Sequence, residues 1–219
     1  MSTLVQPKAA ETRLPIRLDA LRDAAHVTDP FSFVYVPGFI AEDMRARVYE
    51  DFPLIDKAGS FPVDQLSFGP AFGALVAALE SPELQAAVEA KFGRSLAGRP
   101  TMVTIRGMGR ERDGGIHTDS ETKIITLLVY CNLRWDHEGG RLRLLRGPDD
   151  LSDYVLEIPP IDGNMVMFER SARSFHGHLP ANESRRSVQL NWMVDREARD
   201  RELARHRRTA WIKRLNPFA

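Results

Sequence analysis

The sequence predicts an α+β protein that is mainly β, in which antiparallel strands form a sandwich or barrel flanked by helices. After Pro100, six short β-type segments are separated by turn clusters such as DGG, DHEGG and PPIDGN, with no helical pattern between them. Before Pro100, helical patterns predominate. Strands that follow one another without intervening helices favour a sandwich or barrel over a parallel α/β sheet.

Residues 1–100 are predicted to form a mostly helical support with one early strand. PIRLDALRDAAHV has apolar residues at helical spacing, and the β-rich run FSFVYVPGF follows it. AEDMRARVYEDFPLI is amphipathic and has acidic residues in its first turn, where they favour the helix dipole. Further helices are predicted around residues 71–79 and in SPELQAAVEAKFG, which Ser81 caps and Gly93 ends.

The strand core is predicted to span residues 101–195 and a C-terminal helix residues 196–219, all within one domain of residues 1–219. The strand segments are TMVTIRG, KIITLLVY, RLRLL, YVLEI, NMVMF and SVQLNWMV. In the tail REARDRELARHRRTAWIKRL, acidic and apolar residues are interleaved with the arginines. A helix packed on the core is therefore favoured over a nucleic-acid-binding surface.

The composition excludes several kinds of site. The 219 residues include 30 basic and 30 acidic ones, so the net charge of zero gives no reason to expect a nucleic-acid or membrane partner. Cys131 is the only cysteine, which excludes an intramolecular disulfide and a cysteine-rich metal site. No segment has the pattern of a signal peptide or a membrane span, and we expect a cytoplasmic protein. The sequence does not determine the oligomeric state.

A histidine and an aspartate stand two positions apart in GIHTDS, directly after a glycine-rich turn. In an extended segment, side chains at positions i and i+2 lie on one face, so His117 and Asp119 can reach the same ion. A nitrogen and a carboxylate oxygen suit Fe(II), Mn(II) or Zn(II), but two ligands are too few. Taken alone, such a motif more often belongs to a polar surface loop than to a metal site.

A third ligand must come from another histidine. His26 and His206 lie in helical patterns rich in charge and His137 lies in a polar turn, so we expect these three to be solvated. His176 and His178, in SFHGHLP, remain, and spacing alone does not choose between them. Two histidines and one carboxylate on one face leave three coordination positions open, the arrangement of non-haem Fe(II) oxygenases.

Six segments of the strand region follow one another in an order typical of one family. They are HTD at 117–119, YCN at 130–132, EGGRLRL at 138–144, PPIDGNMVMF at 159–168, HGHLP at 176–180 and RRSVQLNW at 185–192. On these segments, residues 101–194 resemble the 2-oxoglutarate- and Fe(II)-dependent dioxygenases, in particular their prolyl-4-hydroxylase-like branch. The resemblance implies a double-stranded β-helix core (jelly-roll, cupin-like) packed against the N-terminal helices.

The resemblance also implies the metal ligands. His117, Asp119 and His176 match the family's ligand positions. His176 is preferred over His178 because a proline follows the family's histidine by four residues, and Pro180 stands there. The cosubstrate 2-oxoglutarate is expected to chelate the metal through its C1 carboxylate and keto oxygen. Its C5 carboxylate is expected to bind an arginine, whose planar fork holds a carboxylate through two hydrogen bonds.

Two arginines qualify as this anchor, Arg185 and Arg186, and they point to opposite faces of a strand. We favour Arg186, because it lies ten residues after His176, which fits the commoner spacing in the family. Arg185 instead forms the family's R-x-S motif with Ser187. Tyr130 is expected to add a hydroxyl to the same carboxylate. The residues expected to support the ligands or to face the substrate are His178, Thr126, Asn132, Trp192 and Arg106.

The sequence therefore predicts an Fe(II)- and 2-oxoglutarate-dependent hydroxylase that uses O₂, with ascorbate as reductant. The alternatives are a non-catalytic cupin-like metal- or ligand-binding module and a zinc-dependent hydrolase with the same ligands, in which Glu169 would be the general base. The expected substrate is a small molecule or a side chain. Arginines that flank the site favour an anionic substrate, namely Arg106, Arg110, Arg112, Arg170 and Arg173.

Overall fold

The computed structural model describes residues 14–215, with side chains described for residues 14–210. Two ends of the predicted domain, residues 1–13 and 216–219, lie outside the described residues.

Four helices precede the strand core and one follows it in this described range. They are α1 (Leu18–Asp23), α2 (Glu42–Glu50), α3 (Pro70–Leu79), α4 (Pro82–Phe92) and α5 (Arg196–Leu215), and a short 3-10 helix spans Val63–Gln65. Helix α4 has the caps that the sequence predicts. Ser81 Oγ accepts a hydrogen bond from the Leu84 backbone N–H at 3.2 Å, and Gly93 ends the helix with a φ of 63°.

The strands form two antiparallel sheets. They are β1 (His26–Val27), β2 (Phe33–Val36), β3 (Phe61–Pro62), β4 (Thr101–Met108), β5 (Lys123–Tyr130), β6 (Leu142–Leu145), β7 (Tyr154–Ile158), β8 (Met165–Glu169), β9 (His176–Gly177) and β10 (Ser184–Met193). The major sheet has the order β1-β2-β8-β5-β10-β4-β3, and the minor sheet has the order β7-β6-β9. Sequence neighbours are often separated in space, as expected for a jelly roll.

The segment before β5 extends the minor sheet beyond β9. The backbone groups of His117 and His176 exchange two hydrogen bonds, of 3.0 and 2.9 Å, and the His178 N–H donates to Gly114 O at 2.9 Å. Gly114 has a φ of 104°, and a Cβ there would collide with the His178 carbonyl oxygen. A glycine at this position therefore lets the His117 segment lie against β9.

Apolar side chains cover both faces of the major sheet. The larger cluster joins the helices to the outer face and includes Phe72 of α3 and Leu127 of β5. The smaller cluster lies between the two sheets and includes Leu144 and Phe168. Burial on both faces explains why β5 is an almost continuous apolar run rather than an alternating one.

Strand β10 alternates between these two environments. Val188 and Leu190 pack in the helix-side cluster, whereas Ser187 and Gln189 line a cavity between the sheets. Since side chains alternate with a period of two, the polar residues of this strand lie on the inner face. The fold thus places a polar surface inside the β-structure.

The predicted fold class is confirmed: antiparallel sheets form a jelly-roll core, and helices pack against it. The region before Pro100 contributes more to the sheet than the sequence indicates, because β1, β2 and β3 all join the major sheet. Among residues 14–215, no helix combines the length and the apolarity that crossing a bilayer requires.

Candidate active site

Three predicted metal ligands come together at one end of the cavity. His117 lies in the segment paired with β9, Asp119 lies two residues further on, and His176 begins β9. One ligand atom from each of these side chains lies within 4.8 Å of the others. Two imidazoles and one carboxylate at this separation fit a divalent metal ion such as Fe(II), and they occupy one face of it.

Both histidines leave the same ring nitrogen free to bind a metal ion. His117 Nδ1 lies 2.9 Å from Gly115 O, and His176 Nδ1 lies 2.9 Å from Ser174 O. A backbone carbonyl only accepts, so each Nδ1 carries the proton and each Nε2 offers its lone pair. Carbonyl partners of this kind fix the tautomer and the orientation of metal-binding imidazoles.

Asp119 is fixed by partners on β5 and β10. Lys123 Nζ donates to Asp119 Oδ1 at 2.8 Å, and Thr126 Oγ1 donates to Oδ2 at 2.5 Å. Asn191 Nδ2 in turn donates to Thr126 Oγ1 at 2.8 Å. This chain orients the carboxylate, which is 9% exposed, toward the two histidines.

The electrostatic surroundings keep the metal-binding forms of these groups. Burial acts to raise the pKa of Asp119, but the charge of Lys123 and the hydrogen bonds outweigh it, and the pKa is lowered. Burial lowers the pKa of His176 to about 4, against the opposing charge of Asp119. An ionised Asp119 and a neutral His176 are the protonation states that bind a metal.

A buried arginine lies at the other end of the cavity. Arg185 is 6% exposed, and its Nε donates to Gly140 O at 2.6 Å. Its Nη2 donates to the Tyr130 hydroxyl at 3.3 Å. Burial raises the pKa of Tyr130, so the hydroxyl keeps its proton as a donor. Together with Ser187, which also faces the cavity, this pair offers several donors to a carboxylate.

Comparison with known proteins agrees with this geometry. Residues 103–194, which contain all three metal-site residues and Arg185, match the model of the 2OG-Fe(II) oxygenase superfamily. Over residues 103–194 the chain resembles this superfamily. It is a 2-oxoglutarate-dependent Fe(II) oxygenase, and the predicted enzyme class is confirmed. No curated protein sequence matches the chain.

Solved structures of prolyl hydroxylases share the fold of this oxygenase. A prolyl-4-hydroxylase of Pseudomonas putida has 20% sequence identity and a TM-score of 0.54, covering 82% of this chain and 91% of that one. A structure of prolyl 4-hydroxylases from Phytophthora capsici has 15% identity and a TM-score of 0.50, covering 82% of this chain and 63% of that one. At these identities the likeness concerns the fold.

The oxygenase places Arg185, rather than Arg186, in the cavity, which corrects our preference for Arg186. The Arg186 guanidinium lies 5.4 Å from the centre of the Phe52 ring and donates to Tyr49 O at 3.3 Å, in a separate surface pocket. Arg185 continues the alternation of Ser187 and Gln189, which also line the cavity, although the register of β10 with β4 shifts between Ser184 and Ser187. Successive side chains of a strand point to opposite faces, so Arg186 points away from the cavity.

Asn132 stabilises this irregularity from outside the cavity. Its Nδ2 donates to Ser184 O at 2.9 Å, and its Oδ1 accepts from the Arg186 N–H at 2.9 Å. Asn132 therefore holds the backbone on both sides of Arg185 and does not line the cavity. Trp192 is also absent from the lining: it is buried in the helix-side cluster, so its predicted place near the substrate is wrong.

Arg106, Thr126, His178 and Ser187 line the cavity, whose volume is about 500 Å³, whereas Tyr130 lies behind Arg185 and is fully buried. Thr126 supports Asp119 as described, and Arg106 of β4 is paired in register with Ser187. His178 lies outside the group of three metal-site residues. Its Nδ1 lies 2.8 Å from Leu179 O, and burial, followed by the charge of Arg185, lowers its pKa to about 4. His178 is thus a neutral side chain facing the cavity.

Several residues of the site were missed by the sequence analysis. Lys123, which lines the cavity, stands four residues after Asp119, and Asn191, which supports Thr126 without lining the cavity, continues the alternation of β10. Arg205 and His206 of α5 also line the cavity. His206 is partly buried, so the prediction of a solvated histidine is wrong there. The position of α5 depends on packing between distant segments, for which the sequence carries no local signal.

The arginines near the site fall into two groups. Arg106 and Arg112 line the cavity. The other three do not line it: Arg110 pairs with Asp113, Arg170 pairs with Glu121 and donates to Asp119 O at 3.2 Å, and Arg173 donates to Pro30 O. Glu169, the base considered for a hydrolase, forms an ion pair with Arg94 and is not part of the lining.

Proposed function

We propose that this oxygenase is a hydroxylase that converts a C–H bond of its substrate into C–OH, with O₂ and 2-oxoglutarate consumed and succinate and CO₂ released. One oxygen atom enters the product and the other enters succinate, so the reaction balances without a further oxidant. The observation that carries the proposal is that the metal-site residues and Arg185, which donates to the Tyr130 hydroxyl, line the same cavity. Ascorbate is the expected reductant in the assay.

Three residues of this chain would bind the metal ion. His117, Asp119 and His176 would hold Fe(II), which together with 2-oxoglutarate supplies the power to oxidise a C–H bond. Three protein ligands on one face leave the opposite positions open for cosubstrate and O₂.

Arg185 would bind the C5 carboxylate of 2-oxoglutarate, with Tyr130 and Ser187 as further donors. Because Arg185 is held by Gly140 O and Tyr130, its guanidinium is oriented before the carboxylate arrives. Donors that are already in place lose little entropy on binding, which strengthens the interaction. The anchor would fix the distance between the C5 carboxylate and the metal site.

The substrate would occupy the rest of the cavity, and we propose that it is a small molecule or a side chain that carries an anionic group. The lining beyond the cosubstrate is polar and includes Arg106, His178 and Gln189. A zinc-dependent hydrolase is less well supported, because Asp119 is engaged by Lys123 and Thr126 and the acid considered as base lies elsewhere.

Succinate formation tests the proposal. Protein with Fe(II), 2-oxoglutarate, ascorbate and O₂ is expected to produce succinate, whereas the His176→Ala variant is expected to produce none above background. His137→Ala is the matched control, since His137 is exposed and lies away from the cavity. No succinate from the wild-type protein, together with hydrolysis of an ester or amide by its Zn(II) form, would overturn the proposal.

A further inference from the structure

The cavity carries more positive charge than the proposed metal and cosubstrate require. Its lining includes five cationic side chains and two carboxylates: Arg106, Arg112, Lys123, Arg185 and Arg205, against Asp113 and Asp119. The charges of Fe(II) and 2-oxoglutarate cancel each other. The excess of cations therefore remains when both are bound.

Most of these charges have an assigned partner. Lys123 pairs with Asp119 at 2.8 Å, and Arg185 is the proposed anchor of the C5 carboxylate. Asp113 pairs with Arg110 at 3.5 Å. Arg112 and Arg205 are exposed, and water satisfies charges of that kind while no ligand is bound. Arg106 is the remaining cation of this lining, and residues 14–210 show no ion-pair partner for it.

Arg106 is mostly buried on the inner face of β4. Its Nε donates to Ser60 Oγ at 2.9 Å, which is a neutral partner. Burial, followed by the charge of Arg185, lowers the pKa of Arg106, and Asp113 compensates in part. A buried cation without a paired anion is costly, so the remaining N–H groups of Arg106 are a strong site for an anion.

Helix α5 brings a second basic group to the same cavity. Arg205 and His206 both line it, and Arg207 of the same helix forms an ion pair with Asp64, which ties α5 to the segment after β3. Arg205 Nη2 donates to Glu202 at 2.5 Å, which leaves most of the five guanidinium N–H donors available. The pKa of His206 is lowered by burial, then by the charges of Arg205 and Lys123, and last by the charge of Arg106, against the opposing charge of Glu202.

We infer that the substrate's anionic group, a carboxylate or a phosphate, binds between Arg106 of β4 and Arg205 of α5, so that α5 determines substrate specificity. The assignment rests on the proposed function, because it takes Arg185 to be occupied by the cosubstrate. One cosubstrate has only two carboxylates, and the metal and Arg185 use both. The anion that Arg106 binds must therefore belong to another molecule.

Binding of fluorinated probes tests this assignment without turnover. The Zn(II) form is saturated with N-oxalylglycine, an unreactive analogue of 2-oxoglutarate, and titrated with 4-fluorobenzoate, 4-fluorophenyl phosphate or the neutral 4-fluorobenzamide, observed by ¹⁹F NMR. We expect at least one anion to bind about tenfold more tightly than the amide, a factor that corresponds to about 1.4 kcal/mol. The more tightly bound anion distinguishes a carboxylate substrate from a phosphate substrate.

Variants locate the binding site of the anion. Arg106→Gln is expected to weaken anion binding about tenfold and Arg205→Gln about threefold. Arg201→Gln should leave it unchanged: Arg201 also pairs with an acid of α5 but does not line the cavity. If Arg106→Gln fails to fold, Arg106→Lys keeps the charge and is expected to keep the preference for anions.

Two results would overturn the inference. One is equal binding of the amide and both anions to the wild-type protein. The other is an Arg106→Gln variant that loses N-oxalylglycine but binds the anion normally, since Arg106 would then belong to the cosubstrate site. Failure of N-oxalylglycine to bind the wild-type protein would instead count against the proposed function. The effect of Arg106→Gln on anion binding could then still be measured on the Zn(II) form without N-oxalylglycine.

Discussion

The orientation of the Asp119 carboxylate depends on a hydrogen bond from Thr126, and a substitution of Thr126 can remove this bond. Thr126→Val keeps the shape of the side chain but removes the donor at 2.5 Å from Oδ2. Since such supporting bonds contribute roughly 10- to 100-fold to metal affinity, we expect Mn(II) binding to weaken about tenfold, as measured by calorimetry. Thr104→Val is the control, because Thr104 lines the same cavity without a bond to Asp119. Equal affinities of the two variants would contradict this role.

His178 gives a prediction about stability and pH. Its pKa is about 4 in the folded protein, whereas the ordinary value in an unfolded chain is 6.5. Between these values the unfolded state binds more protons, so the metal-free protein loses stability as the pH falls from 6.5 toward 4. We expect the His178→Asn variant, which can still donate to Leu179 O, to lose roughly 1–3 kcal/mol less than wild type between pH 7 and pH 4.5.

Urea unfolding of the metal-free proteins at the two pH values measures this difference. His176 has a similarly low pKa, but it is present in both proteins and cancels in the comparison. Parallel losses of stability in wild type and His178→Asn would show that His178 is not buried in its neutral form.

At the level of elements, the inward face of β10 decides which arginine enters the cavity, because Arg185 alternates in step with Ser187 and Gln189. We expect Arg185→Ala to raise the KM for 2-oxoglutarate at least tenfold, because the buried carboxylate would lose a charge-assisted pair of hydrogen bonds. Arg186→Ala is the matched neighbour and should change this KM less than twofold, since Arg186 lies against Phe52 outside the cavity. The reverse order of effects would show that β10 has the other register.

Asn132 should influence the cosubstrate through the backbone that it holds. In Asn132→Ala, Ser184 O and the Arg186 N–H lose their side-chain partner, and Arg185 between them is less firmly oriented. We expect the KM for 2-oxoglutarate to rise about threefold with kcat and Mn(II) affinity little changed. Asn182→Ala, at an exposed residue of the preceding loop, is the control. A fall in kcat without a change in KM would argue against a positioning role.

For the molecule as a whole, the sequence was informative wherever a contact is local. The apolar runs of β5 and β8 predict buried strands, and the caps of α4 predict its ends. His117 and Asp119 lie on one face because they are two residues apart in an extended segment. The resemblance to the dioxygenases then supplied His176, and the structure brings all three together.

The remaining features depend on contacts between segments that are distant in sequence. Alternation places Arg185 and Arg186 on opposite faces of β10, but which face points into the cavity depends on how β10 pairs with β4 and β5. Arg205 reaches the cavity only because α5 packs across the end of the major sheet, where Arg207 meets Asp64. Such packing is decided by the assembled core and not by the helical pattern of the tail.

The most direct test of the account is the visible spectrum of the anaerobic complex with Fe(II) and 2-oxoglutarate. Chelation of the metal by the keto acid is expected to give a weak charge-transfer band in the wild-type protein. We expect His176→Ala to lack the band and Arg185→Ala to require at least tenfold more 2-oxoglutarate to reach it. A folded wild-type protein without the band at saturating Fe(II) and 2-oxoglutarate would contradict the account.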